Sequence, residues 1–166
     1  KIGIELCSPT KTFNIPGLSG TAYCIIPDEK KRTRFMETLH GAKLAEPSIP
    51  SLVATTTGYS QEPVWLNAVK DYIGENVKRV GSFFADRDLG IRPVLPQASF
   101  LVWLDCRALG LPQAELVELF NEKAGVVVNN GAGYGTGGEG FVRFNVGCPR
   151  SIVDEALERI ARAVRG

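Results

Sequence analysis

"LCSPTKTFNIPGL", residues 6–18, sets one lysine between a Ser-Pro turn and a second turn around Pro16 and Gly17. Apolar runs of strand length flank it, "IGIEL" before and "GTAYCIIP" after, the second ended by Pro27. Serine, proline and lysine are ordinary turn residues, and a lone lysine is usually a solvated surface charge. Position changes that reading. A strand, then S-x-x-K, then a turn and a second strand predict that the Lys11 amine stands at the end of a sheet. A lysine held and partly desolvated in such a place presents a neutral amine, the nucleophile that condenses with an aldehyde.

Working outward, residues 28–39, "DEKKRTRFMETL", open with acids that suit a helix N-terminus and then set Phe35, Met36 and Leu39 on one face. After the Pro-bearing "AEPSIPS" comes a longer pattern at residues 63–85. There Val64, Trp65, Ala68, Val69, Tyr72, Ile73, Val77, Val80 and Phe84 recur at three- and four-residue spacings. This predicts a long amphipathic helix with Pro63 in its first turn, long enough to link two domains. Strand and helix patterns then alternate: "IRPVLP", "ASFLVWLDC", a helix over residues 112–123, "GVVVN", a glycine-rich loop read as flexible, "GFVRFNVG", and a last helix capped by Ser151. The expected fold class is α/β, with an α+β small domain in which a small mixed sheet is covered on one face by helices. The Trp and Phe side chains fall at helical or strand spacing and are expected in the core.

The 19 basic and 18 acidic residues are intermixed, which reserves no face for nucleic acid or anionic lipid. No apolar run reaches the roughly 18 residues of a membrane span. The four cysteines stand far apart with no C-x-x-C pair, so reduced thiols and a cytoplasmic location are expected. His40 is the single histidine, which argues against metal catalysis and His-based triads. "GYGTGG", residues 133–138, satisfies G-x-G-x-x-G, but the strand-like "EGFVRFNVG" follows where a dinucleotide-binding turn needs a helix. The chain starts at Lys1 with a strand pattern at once, which reads as a chain whose earlier part is absent.

"CSPTKTFNIPGL" resembles the cofactor-lysine segment of fold-type I pyridoxal-phosphate enzymes, in the class I/II aminotransferase family and its MalY/PatB cystathionine β-lyase branch. "GYSQEPVWLNAVKDYI", "LPQASFLVWLDCRALGL", "GYGTGGEGFVRFNVGCPRS" and "ALERIARAV" are similar to the same branch in the same order. The resemblance covers essentially all of this sequence and the latter part of the family's longer chain. It implies that residues 1–65 are the tail of a large pyridoxal-phosphate-binding domain and residues 66–166 a small C-terminal domain.

By position, the resemblance makes Lys11 the residue that bonds pyridoxal 5'-phosphate and moves the substrate α-proton. Ser8 falls where the family holds the cofactor phosphate with a hydroxyl, and Arg143 where it grips the substrate α-carboxylate, a task suited to a planar fork. Ser19 stands where aminotransferases of the superfamily usually place a phosphate-binding arginine, which favours a carbon-sulfur lyase over a transaminase. The implied activity is cleavage of a cysteine thioether to thiol, pyruvate and ammonia by a homodimeric enzyme acting on a small amino acid. The alternatives are an aminotransferase, or a non-catalytic folding or interaction module; the 166 residues alone are expected to be inactive.

Overall fold

The computed structural model describes residues 3–44, 47–60 and 64–166. The chain divides into two compact units, Lys1–Asn67 and Ala68–Gly166.

In the first unit, β1 (Glu5–Cys7) pairs antiparallel with β2 (Tyr23–Ile25), with Leu6 opposite Cys24. The expected strands are present, shortened to three residues each; Ile2 lies outside the described residues. Next comes α1 (Glu29–Gly41), where Asp28 caps the helix by accepting the Lys31 N–H at 2.9 Å. Its expected apolar face stays open: no residue of α1 is buried, and Phe35 and Met36 are exposed.

A helix absent from the sequence reading follows, α2 (Ile49–Ser60). Ser48 starts it by accepting the Ser51 N–H, and Pro50 occupies the first turn, where a missing N–H costs nothing. The run Val53–Thr57 is poor in helix formers, which hid the element. Tertiary contacts compensate. The buried Ser51 hydroxyl donates to the Ser19 carbonyl at 2.5 Å, and Tyr59 meets Phe13 edge-on at 5.1 Å.

α3 (Val64–Ala85) runs from the first unit into the second. Pro63, expected to open it, lies outside the described residues. The apolar stripe is real, but it is buried only along its second half: Val77, Val80 and Phe84 are covered, whereas Val64, Trp65, Val69 and Tyr72 are exposed. Ile73 already packs against the core of the second unit, and full burial begins with Asn76.

The second unit holds β3 (Arg92–Val94), β4 (Leu101–Asp105), β5 (Asn129–Asn130) and β6 (Phe141–Asn145), in the spatial order β3-β4-β6-β5. The sheet expected as mixed is antiparallel at every pair. Alternation of side chains sends Val102, Leu104, Val142 and Phe144 to one face. They form a single core with Val77 and Val80 of α3, Leu116 of α4 (Gln113–Glu118), and Val153, Leu157 and Ile160 of α5 (Arg150–Arg165). One face of the sheet is therefore under helices.

Two helix ends differ from expectation. After α4 the backbone widens into a π turn over Leu119–Lys123, closed by the Ala124 N–H on the Leu119 carbonyl at 2.9 Å. α5 starts one residue before Ser151, with Pro149 at the cap position and no side-chain cap. The free N–H of Arg150 goes instead to the Tyr72 hydroxyl at 2.8 Å.

Candidate active site

Ser8 and Lys11 share one turn of the first unit. Directly after β1, the Phe13 N–H reaches the Pro9 carbonyl at 2.9 Å and the Ile15 N–H reaches the Thr10 carbonyl at 3.0 Å, so two backbone bonds close around Lys11. Pro9 is buried beneath the turn. On its far side Phe13 lies against Gly58 of α2, where an added Cβ would stand 2.9 Å from the ring. The peptide carrying Lys11 is thus fixed at the end of the two-stranded sheet, as the flanking strands imply.

The side chain is not desolvated. Lys11 is exposed, and it takes part in no hydrogen bond or ion pair among the described residues. The expectation of partial burial is corrected on this point: the turn orients the backbone, but no described element lies over the amine. Beside it the Ser8 and Thr10 hydroxyls stand 3.0 Å apart, with the Thr10 N–H 3.5 Å from the Ser8 oxygen. Two hydroxyls, a backbone N–H and a primary amine within four residues form a donor set whose chemistry fits a phosphate and an aldehyde.

Arg143 stands in the second unit, on the sheet face opposite the core. Residues paired across antiparallel strands share a face, so Val94, Trp103, Arg143 and Asn129 form one row. The Asn129 side-chain oxygen accepts from Arg143 Nε at 3.2 Å and from Nη2 at 2.8 Å. The guanidinium carbon lies 4.8 Å from the centre of the Tyr134 ring, and Trp103 meets that ring edge-on at 5.3 Å. In the next row Asp105 and Arg107 form a two-bonded ion pair, at 2.9 and 2.8 Å, which holds the Asp105 carboxyl below the usual carboxylate range.

Tyr134 arrives on the glycine-rich segment, which is pinned rather than flexible. Gln113 at the start of α4 donates to the Asn130 side chain at 2.7 Å and to the Phe141 carbonyl at 3.2 Å, and accepts from the Gly140 N–H at 2.7 Å. Both ends of the segment are therefore tied to one side chain. Gly131 is buried, and a Cβ there would collide with the carbonyl oxygens of Gly138 and Phe141.

No family model matches the chain. Among curated proteins, cystathionine β-lyase PatB of Bacillus subtilis is 36% identical over 163 residues, covering 98% of this chain and 42% of that protein. Protein MalY of Escherichia coli is 36% identical over 165 residues, covering 96% of this chain and 41% of its own. Among solved structures, cystalysin of Treponema denticola, which contains pyridoxal 5'-phosphate, superposes with a TM-score of 0.90 at 30% identity over 98% of this chain and 41% of that chain. Along nearly its whole length the chain is similar to part of PatB and MalY, and its fold is that of the matching part of the pyridoxal-phosphate-containing cystalysin. It spans about two fifths of the length of the relatives it matches.

In this chain, similar to PatB and MalY, sequence reasoning selected Ser8, Lys11 and Arg143. It passed over Asn129, Tyr134 and Gln113, and it assigned Trp103 to the core. Trp103 lies half-buried on the uncovered face, because its neighbours Val102 and Leu104 take the core side of β4. The alternation in "LVWLD" carried that signal. Asn129 and Tyr134 had none of comparable strength, because their roles depend on β5 and the following turn lying beside β6.

Proposed function

We propose that the protein is a pyridoxal-phosphate-dependent carbon-sulfur β-lyase, converting a cysteine thioether and water to a thiol, pyruvate and ammonia. The observation that carries this reading is similarity to PatB and MalY along the whole chain. Ser19 in place of a phosphate-binding arginine favours lyase over aminotransferase chemistry. We take residues 1–65 as the tail of the cofactor-binding domain and residues 66–166 as the small domain, in a cytoplasmic homodimer. The free thiols of all four cysteines suit that compartment.

When bound, pyridoxal phosphate supplies the electron sink that lets the Cα–H bond of an amino acid ionise. The residues of this chain do the rest. The Ser8 hydroxyl, beside that of Thr10, would donate to the cofactor phosphate. The Lys11 amine would hold the cofactor aldehyde, and its Nζ would be the group placed to accept the substrate α-proton. The Arg143 guanidinium is suited to bind the substrate α-carboxylate through two parallel N–H bonds. The turn closed over Pro9 and Thr10 matters here, because a base on a mobile segment would lose its orientation.

The test is reduction with borohydride in the presence of pyridoxal phosphate, followed by peptide mapping, on the whole protein and on residues 1–166. The whole protein is expected to carry one adduct on Lys11 and to release pyruvate from cystathionine without a keto acid, whereas the 166 residues alone show no turnover. Accumulation of pyridoxamine phosphate with an amino donor, and no pyruvate, would instead identify an aminotransferase. An adduct retained after Lys11→Ala would remove Lys11 from its role.

A further inference from the structure

Arg143 is held on two sides before any ligand arrives. One acceptor, the Asn129 side-chain oxygen, takes both the Nε and the Nη2 hydrogens on the lateral edge of the guanidinium, at 3.2 and 2.8 Å. The Tyr134 ring lies against one flat side, 4.8 Å from the guanidinium carbon, and is itself braced by Trp103. Nη1 has no hydrogen-bond partner among the described residues. The remaining open edge is the terminal one, where Nη1 and Nη2 present two parallel N–H bonds.

From this geometry we infer that Asn129 is a positioning residue, with Tyr134 as its support, that commits Arg143 to end-on, two-bonded capture of the substrate α-carboxylate. The inference rests on the carboxylate role proposed for Arg143 and specifies how that role is met. A neutral amide is the fitting partner. It accepts two hydrogen bonds, so the long side chain keeps one orientation, yet it leaves the positive charge uncompensated for an incoming anion. A carboxylate in its place would hold the arginine equally well and cancel the charge that the ligand needs. The chain shows that contrast in the next row, where Arg107 is paired with Asp105 through two bonds and its charge is spent on that partner. Asn129 and Arg143 face each other across β5 and β6 in direct register, so the amide reaches the lateral edge without leaving the sheet.

The experiment compares Asn129→Asp, Asn129→Ala and Arg143→Ala in the whole protein. It reads KM and kcat for cystathionine, calorimetric affinity for propionate, a non-reacting carboxylate, and the unfolding midpoint. The isosteric Asn129→Asp variant is expected to raise KM and weaken propionate together by roughly tenfold or more, the scale of a lost charge-assisted hydrogen bond, with kcat and the unfolding midpoint little changed. Asn129→Ala, which releases the arginine without adding charge, shifts both in the same direction by less. It decides the matter should the aspartate variant not fold. Wild-type KM and propionate affinity in Asn129→Asp, or in Asn129→Ala where that variant decides, overturn the inference. Loss in Arg143→Ala beside wild-type behaviour in the Asn129 variants leaves the carboxylate role standing and removes only Asn129; no loss in Arg143→Ala removes both.

Discussion

Two side chains of the second unit show how environment sets chemistry at single residues. The Cys106 thiol is almost wholly enclosed, and burial, reinforced by the Asp105 charge, pushes it up to about 12. The thiolate is the reactive form, so Cys106 is expected to resist iodoacetamide in the native protein and to be alkylated only on unfolding, as mass mapping with and without denaturant will show. Asp105 is shifted the other way, first by the Arg107 side chain. Its folded-state value lies below the unfolded one, so its stabilisation is present above the ordinary carboxylate range and is lost as pH falls through the depressed value. Asp105→Asn is therefore expected to lower stability near neutrality, with the gap to wild type closing toward acid in urea titrations at stepped pH. Lys11 was legible at this scale as a residue but not in its surroundings, because solvent access depends on what lies over the turn.

Asn76 joins elements that sequence alone leaves apart. It sits in the middle of α3, fully buried, and its amide donates to the Val146 carbonyl at 2.9 Å and the Cys148 carbonyl at 3.0 Å in the link between β6 and α5. Its oxygen accepts from Arg150 at 3.3 Å, and one turn earlier Tyr72 caps the Arg150 N–H. One helix thereby satisfies the link and the start of another helix, which explains how α5 does without a capping serine. Asn76→Ala leaves the buried Val146 carbonyl without its donor and takes one from the part-buried Cys148 carbonyl, and is expected to cost about 2–4 kcal/mol by urea unfolding. Asn76→Asp, which removes the donors and adds a buried charge, is expected to cost more. The periodicity of residues 64–85 revealed α3 but gave no reason for a polar residue on its buried side, since the partners lie about seventy positions away.

At the scale of the molecule, stability in the second unit rests on one core shared by a sheet face and three helices. Leu157 on α5 is fully buried within it. Leu157→Ala removes apolar contacts and leaves a cavity, with an expected loss of about 2–5 kcal/mol in the calorimetric or urea-induced unfolding of that unit. The opposite face of the sheet carries Trp103, Tyr134, Asn129 and Arg143, so one strand alternation separates the core from the face proposed for recognition. Val142→Thr, which puts a hydroxyl into the core side of β6, is expected to destabilise the unit, whereas Phe141→Tyr on the open side is expected to be near neutral; parallel urea curves check the pair.

By itself, the sequence determined the strands around Lys11, the long helix, the α-and-β character of the second unit and the three residues proposed for chemistry. Those features are written in local periodicity, turn residues and the order of short motifs, which neighbouring residues in the chain are enough to specify. Only the tertiary structure decided that α2 forms despite a run of poor helix formers, that the glycine-rich segment is pinned by Gln113, and that Asn129 and Tyr134 hold Arg143. The physical reason is the same in each case. A hydrogen bond or ring contact between residues far apart in the chain leaves no periodic trace, and it exists only once folding has brought both partners to one place.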